Sequence, residues 1–571
     1  MSLINKIIHN KFWLIPVMIL LITLNWLASV YHTRIDLTNE KRFTLSKPTK
    51  KLLQKLDEVV QVDVFLKGEF PSGFKKLANS ATDILQEFKE IAGNKLQFNF
   101  ISPDEEMGDS KVKWGDTLAA LGLYPINLKS QLKAGEQQQL VFPVALVHYK
   151  NRVEPVNLYT GNKTFITAAE LNSAEALMEY KFAEAVYKLS TSSKPMLAYS
   201  IGNGEPPVGS YVTYDMVENV LRPGYNLFTF NLNTQPVIPD TFNLLMIVKP
   251  TQPFSDEAKL KIDQFVMRGG KLLLFIDKLN AELDSLQSLS NRVVAYDRDL
   301  DLNDLFFKYG ARVNSDLMMD LQSDYLPFMV NNNDQMEYLH WNYFPLLESK
   351  SNHIINKNLG LVAAQFINSI DTVEAEGIKK TFLINSSANA RTLSAPAIIS
   401  GTENVNAPED AKFRKAAIPV AVLLEGKFTS LFNNRLSAAF TDSLADYGHG
   451  FMSQCISENK IIIVADGDMV LNGVFKNEPL PMGMSRFNVG SPYEYQFANR
   501  DFLQNCLDYL VNQSGLLEVK AKDYTLRLLD KKKVESEKTT WQIINILVPV
   551  ILVLLLALIF QFIRRRKFTI N

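Results

Sequence analysis

Two short turns carry the side chains with the greatest chemical capacity in this 571-residue sequence: Gly202-Asn203-Gly204-Glu205 and Asp466-Gly467-Asp468. Each follows an apolar run that reads as a buried parallel strand, and ligands bind outside the carboxyl ends of such strands. Glycine there permits a left-handed backbone and close approach of a ligand. The carboxylates of Glu205, Asp466 and Asp468 could reach one edge and hold a hard cation or a hydroxyl-rich ligand. Glu205 and Asp466 are also the pair that a hydrolase of envelope glycans would use. The competing explanation is plain turn geometry, for which Gly, Asn and Asp are ordinary residues. Arg500-Asp501 reads as a helix start with a cap and a local ion pair.

Several chemistries lack their residues. No phosphate-cradling Gly-x-x-x-x-Gly-Lys-Ser/Thr run occurs: Lys271 follows Gly269-Gly270, but Leu272 comes next and Phe265 stands where the first glycine would be. ATP hydrolysis by this chain is therefore not expected. The six histidines, His9, His32, His148, His340, His353 and His449, are scattered and form no His-Glu-x-x-His, so no zinc site is expected. No Gly-x-Ser-x-Gly elbow is present, and neither Cys455 nor Cys506 follows a strand as an activated nucleophile would. The 60 Lys plus Arg against 61 Asp plus Glu leave no basic excess for nucleic acid. The expectation is no catalytic residue, no metal and no cofactor.

The elements that must position the two turns form an α/β pattern. Val60, Val62 and Val64 alternate as a strand, Phe74 to Ile91 carry helical spacing, and Leu96, Phe98 and Phe100 alternate again, which makes a βαβ unit. Residues 140–149 and 152–159 read as two strands and 168–189 as a helix, so a βαβ-ββα, thioredoxin-like domain is expected over residues 36–190, without Cys-x-x-Cys. From Pro195, apolar runs at 195–201, 244–248, 271–277 and 461–466 alternate with helices near 214–220, 255–267 and 499–510. That alternation implies a parallel sheet covered on both faces. A second domain is expected over 195–517, with a less regular insertion at about 279–427.

Residues 12–31 and 541–563 contain no Asp, Glu, Lys, Arg or His, and about 20 apolar residues suffice to cross a bilayer as a helix. The expected layout is a cytoplasmic segment 1–11, a span at 12–31, periplasmic domains, a charged linker 518–540, a span at 541–563 and a basic tail 564–571. Arg564, Arg565, Arg566 and Lys567 place the tail in the cytoplasm. In the first span Asn25 and Ser29 lie four residues apart, on one helical face, and are the candidate contact with a membrane partner.

Arg34-Ile35-Asp36-Leu37-Thr38, Arg42-Phe43-Thr44-Leu45-Ser46 and Val62-Asp63-Val64-Phe65-Leu66 resemble the start of the gliding-motility-associated ABC-transporter components of the GldG family. The Gly202 to Glu205 turn, Gly269-Gly270-Lys271-Leu272-Leu273-Leu274, Ile463-Val464-Ala465-Asp466-Gly467-Asp468 and Asn499-Arg500-Asp501-Phe502 fit as well. The resemblance implies an auxiliary or substrate-binding subunit in the inner membrane of gliding Bacteroidetes. It implies a separate permease and cytoplasmic ATPase as partners, and a second domain similar to glutamine amidotransferase-like folds without their nucleophile.

Overall fold

The computed structural model describes residues 14–30, 44–68, 70, 72–108, 111–121, 123, 125–132, 135–159, 166–191, 194–283, 292–330, 335–349, 351–401, 410–433, 435, 450–511, 515–520 and 531–568. It divides into a large unit up to Lys522 and a second unit from Asp523.

The large unit opens with helix α1, Leu14–Val30. The remainder of the expected first span, and residues 31–43, lie outside the described residues. Helix α2, Lys47–Gln54, starts where the Ser46 hydroxyl accepts from Thr49 N, with Pro48 in the first turn; proline there loses only a donor that has no helical partner. Strand β1, Val60–Val64, helix α3, Ser72–Ala92, and strand β2, Leu96–Phe100, form the expected βαβ unit, with β1 and β2 parallel. Strands β3, Val144–Tyr149, and β4, Arg152–Asn157, complete a four-stranded sheet in the order β2-β1-β3-β4. The helix expected at 168–189 is divided into α4, Ala168–Ala176, and α5, Met178–Ser190. A Thr167–Glu170 capping box starts α4.

The second sheet has seven strands. They are β5, Met196–Ile201, β6, Asn226–Asn231, β7, Leu244–Val248, β8, Lys271–Phe275, β9, Ile378–Asn385, β10, Pro419–Gly426, and β11, Asn459–Val464. Their order is β9-β10-β11-β8-β7-β5-β6. The five strands from β11 to β6 are parallel, as expected, while β9 and β10 are antiparallel to their neighbours. Both antiparallel strands come from the stretch read as an insertion, so the sheet is mixed. Strand β9 mixes polar with apolar residues, and β10, although continuously apolar from Val420 to Leu424, carries nothing local that distinguishes an antiparallel strand of this sheet from a satellite one.

Helix α6, Asp256–Met267, is capped by the Ser255 hydroxyl accepting from Ala258 N, and Asp256 and Glu257 in its first turn suit the positive end of the helix. It covers one face of the sheet with α7, Asn303–Tyr309, against Leu245, Ile247, Leu272, Leu274, Ile461 and Ile463. Helix α8, Asn499–Val511, covers the other face against Leu244, Met246, Val248, Leu273, Phe275, Ile462 and Val464. Successive strand residues thus serve opposite cores, which is why these strands are continuously apolar. Much of the region between Leu279 and Phe413 builds a third core around Trp341, Tyr343, Phe344 and Phe366.

The second unit contains helix α9, Lys531–Phe568, which begins ten residues before the expected span and includes part of the stretch read as a linker. Its segment Ser536–Arg566 is, among the described residues, long and apolar enough to cross a membrane. Helix α1, at 17 residues, is shorter.

Candidate functional site

The parallel strands deliver four loops to one edge. Gly202 to Glu205 follows β5, Lys249 follows β7, Asp277 lies two residues beyond β8, and Asp466 to Asp468 follows β11. The register Val248↔Phe275↔Val464 sets three of these loops side by side.

Lys249 is the centre of the charge network. It is 9% exposed and has φ 43°, in the left-handed region that non-glycine residues rarely occupy. Its ammonium donates to Asp468 Oδ1 at 2.7 Å and Oδ2 at 2.8 Å and to Glu282 Oε2 at 3.1 Å, and lies 3.6 Å from Asp277 Oδ2. Arg298 pairs with Glu282 at 2.8 Å. Gly467 lies against this lysine, where a Cβ would come 2.7 Å from Lys249 Cβ. Burial opposes the lysine's charge, but Asp468, Asp277 and Glu282 prevail and hold its pKa above the usual range. Burial pushes Asp468 up to about 6, assisted by Asp277 and Glu282 and opposed by Lys249.

Asp277, Asp466 and Asp468 bring carboxylate oxygens within 4.8 Å of one another, a donor set suited to a hard cation. The ammonium of Lys249 already supplies positive charge there. Asp466 is fully buried: Oδ1 accepts from the N–H groups of Asp468 and Met469, and Oδ2 from that of Gln365. Burial and the neighbouring carboxylates Asp277 and Asp468 raise its pKa well above the usual range.

Glu205 is also turned into its own loop. Its Oε1 accepts from Ser200 Oγ at 2.8 Å and its Oε2 from Asn203 N at 2.7 Å. Asn203 O accepts from Thr251 N and Gln252 N, tying the turn to the loop after β7. Gly204 has φ 80°, and a Cβ there would meet Thr251 Oγ1 at 2.0 Å. The Gly202 to Glu205 turn is therefore clamped on several sides.

A cleft of about 550 Å³ lies over this edge, and its lining includes Gly204, Glu205 and Asp468 from the two predicted turns. Asn203 and Asp466 are buried behind that lining, and Gly202 is exposed outside it. The cleft wall also carries Lys249, Glu282, Asp324, Phe344, Phe366 and Phe487, none of which the sequence pattern singles out. Lys249 and Asp277 satisfy the criterion that found Asp466, since each lies in the loop just beyond the carboxyl end of a parallel strand. Asp324, Phe344 and Phe366 come from the stretch read as an insertion and Phe487 from the segment between β11 and α8, where no local pattern marks them.

Arg500 departs from its expected pairing: its guanidinium binds Asp215, not Asp501. Adjacent helical residues point about 100° apart, so a local pair was geometrically poor. Asn25 is exposed on α1, and Ser29 lies one turn further along the same helix. Cys455 and Cys506 are free and buried.

Comparison with known proteins places the cleft in a matched region. The family described as an ABC-type uncharacterized transport system matches residues 194–506, over half of the chain. A domain of unknown function matches residues 39–148. An uncharacterized protein of Borreliella burgdorferi is 20% identical over 552 residues, 94% of this chain and 95% of that protein. Among solved structures, the mmIFT52 N-terminal domain overlaps 55% of this chain and 96% of its own, at 10% identity and TM-score 0.31. The exo-beta-1,4-mannosidase Op5Man5 of Opitutaceae bacterium strain TAV5 overlaps 52% of this chain and 34% of its own, at 9% identity and TM-score 0.18. Overlaps that loose define no common fold.

Proposed function

The chain belongs to the ABC-type uncharacterized transport system family, and from that premise we propose that it is a non-catalytic, membrane-anchored auxiliary subunit of an ABC transporter, whose cleft receives a substrate or a partner. The observation that carries this reading is the state of the acids at the strand ends. Glu205 and Asp466, the pair a glycan hydrolase would use, spend their oxygens on donors of the chain itself. A glycosidase needs an acid and a base placed to exchange protons with substrate. A binding cleft needs only shape and placed polar groups.

The resemblance to gliding-motility components extends the proposal to a permease and a cytoplasmic ATPase as partners, and to gliding as the process served. Within the large unit, Leu45 and Leu53 share a core with Leu516 and Val519. The segments that lead toward the two hydrophobic helices thus leave from one lobe, which suits anchoring of both in one bilayer. Residues 36–535 are then periplasmic, with both termini in the cytoplasm. The Asn25 and Ser29 face of α1 docks on the permease, since polar residues in lipid seek interhelical partners.

Topology is tested with Ile456→Cys, at a position 78% exposed in a chain whose two native thiols are buried. A maleimide that cannot cross the inner membrane labels it in cells with a permeabilised outer membrane. Labelling only after rupture of the inner membrane overturns the periplasmic placement.

A further inference from the structure

Asp324 lines the cleft but differs from the other acids there. It is 5% exposed, and the hydrogen bonds it accepts, from Tyr325 N at 2.8 Å and Asn488 Nδ2 at 3.1 Å, both fall on Oδ1. Among the described residues no hydrogen bond reaches Oδ2, and no lysine, arginine or histidine pairs with this carboxylate. Lys249 is engaged with Asp468 and Glu282, and Arg486 lies over the Phe487 ring, 5.1 Å from its centroid. A buried carboxylate without a counter-charge is costly and calls for a partner.

The surroundings are built in the same sense. Pairing between residues 323–330 and 335–347 breaks between Ser323↔Pro345 and Tyr325↔His340, so Asp324 stands opposite four residues, 341–344. Such irregularities re-aim a side chain. The fully buried Ser323 Oγ and the nearly fully buried Asn488 Oδ1 also lack hydrogen-bond partners among the described residues. Phe344, Phe366 and Phe487 share the cleft wall with Asp324, and aromatic rings attract organic cations.

We infer that the Asp324 corner of the cleft binds the primary ammonium group of a basic ligand, through the Asp324 carboxylate and the neighbouring phenylalanine rings. The inference rests on the cleft being a binding region and adds the ligand's chemistry. A lysine side chain of a polypeptide and a polyamine both present that group.

The test is calorimetric titration of the full-length protein in mild detergent with N-acetyl-lysine amide and, separately, spermidine. N-acetyl-norleucine amide is the uncharged control. At least one ammonium probe is expected to bind, with the control at least tenfold weaker. Asp324→Asn is expected to weaken binding at least tenfold, while its amide oxygen still accepts from Asn488. Phe487→Leu, which leaves the carboxylate in place, is expected to weaken binding as well. Response to the lysine probe alone assigns a polypeptide source, and response to spermidine alone a polyamine; either supports the inference. No binding of either probe, equal binding of the norleucine control, or undiminished binding by both variants overturns it. Recovery of transporter partners with Asp324→Asn reports separately on the auxiliary-subunit reading. Partners retained without ammonium binding sink only this inference, and ammonium binding without partners sinks only that reading.

Discussion

Lys249 and Asp324 show two ways of burying charge at one cleft. Lys249 is neutralised by three acids from two other loops, and removing one member of such a network leaves the rest uncompensated. Lys249→Met should cost about 3–5 kcal/mol, measurable by denaturant unfolding. A loss under about 1 kcal/mol, typical of an exposed pair, would mean that the network is solvated. Asp324 has no counter-charge, and burial raises its pKa to about 6, above the value of about 3.9 in an unfolded chain. Its protonated form is thus favoured by folding. The resulting stability is present below about pH 4 and is lost as pH rises through about 6. Asp324→Asn should therefore raise the melting temperature clearly more at pH 8 than at pH 4.5, and change it little below about pH 3.5. An equal effect at both pH values would contradict the assignment. Part of this site was legible in the sequence, because Glu205, Asp466 and Asp468 follow apolar strands and two of them line the cleft. Asp324 was not, because its position depends on a break in pairing that no spacing announces.

At the scale of elements, periodicity was a sound guide wherever local pattern and burial agree. The βαβ unit, the helix α6 and the parallel strands β5, β7, β8 and β11 were readable because each segment's own residues dictate them. Strands β9 and β10 were hidden because their place in the sheet is decided by long-range pairing, of β10 with β11 and of β9 with β10. The two hydrophobic helices give the element-scale prediction. In the proposed two-anchor layout, removing residues 536–571 alone should leave the chain in membranes through α1, and removing residues 1–35 as well should release it. Carbonate extraction checks both. Release by the first truncation would leave α1 without an anchoring role, and retention of the double truncation would place membrane attachment elsewhere.

For the whole molecule, what the chain lacks matters as much as what it has. The two hydrophobic helices among the described residues cannot by themselves enclose a path for a large solute, and the sequence holds no phosphate-binding loop. A transport role therefore requires other chains to form the path and to hydrolyse ATP. The most direct test is affinity isolation of the tagged, full-length chain from its native membranes in mild detergent, with every recovered subunit identified by mass spectrometry and ATPase activity assayed. The account predicts recovery of a polytopic permease and an ATPase, with ATP hydrolysis abolished by mutation of the partner's phosphate-binding loop. Recovery of this chain without either partner, under conditions that keep other membrane complexes intact, would contradict it.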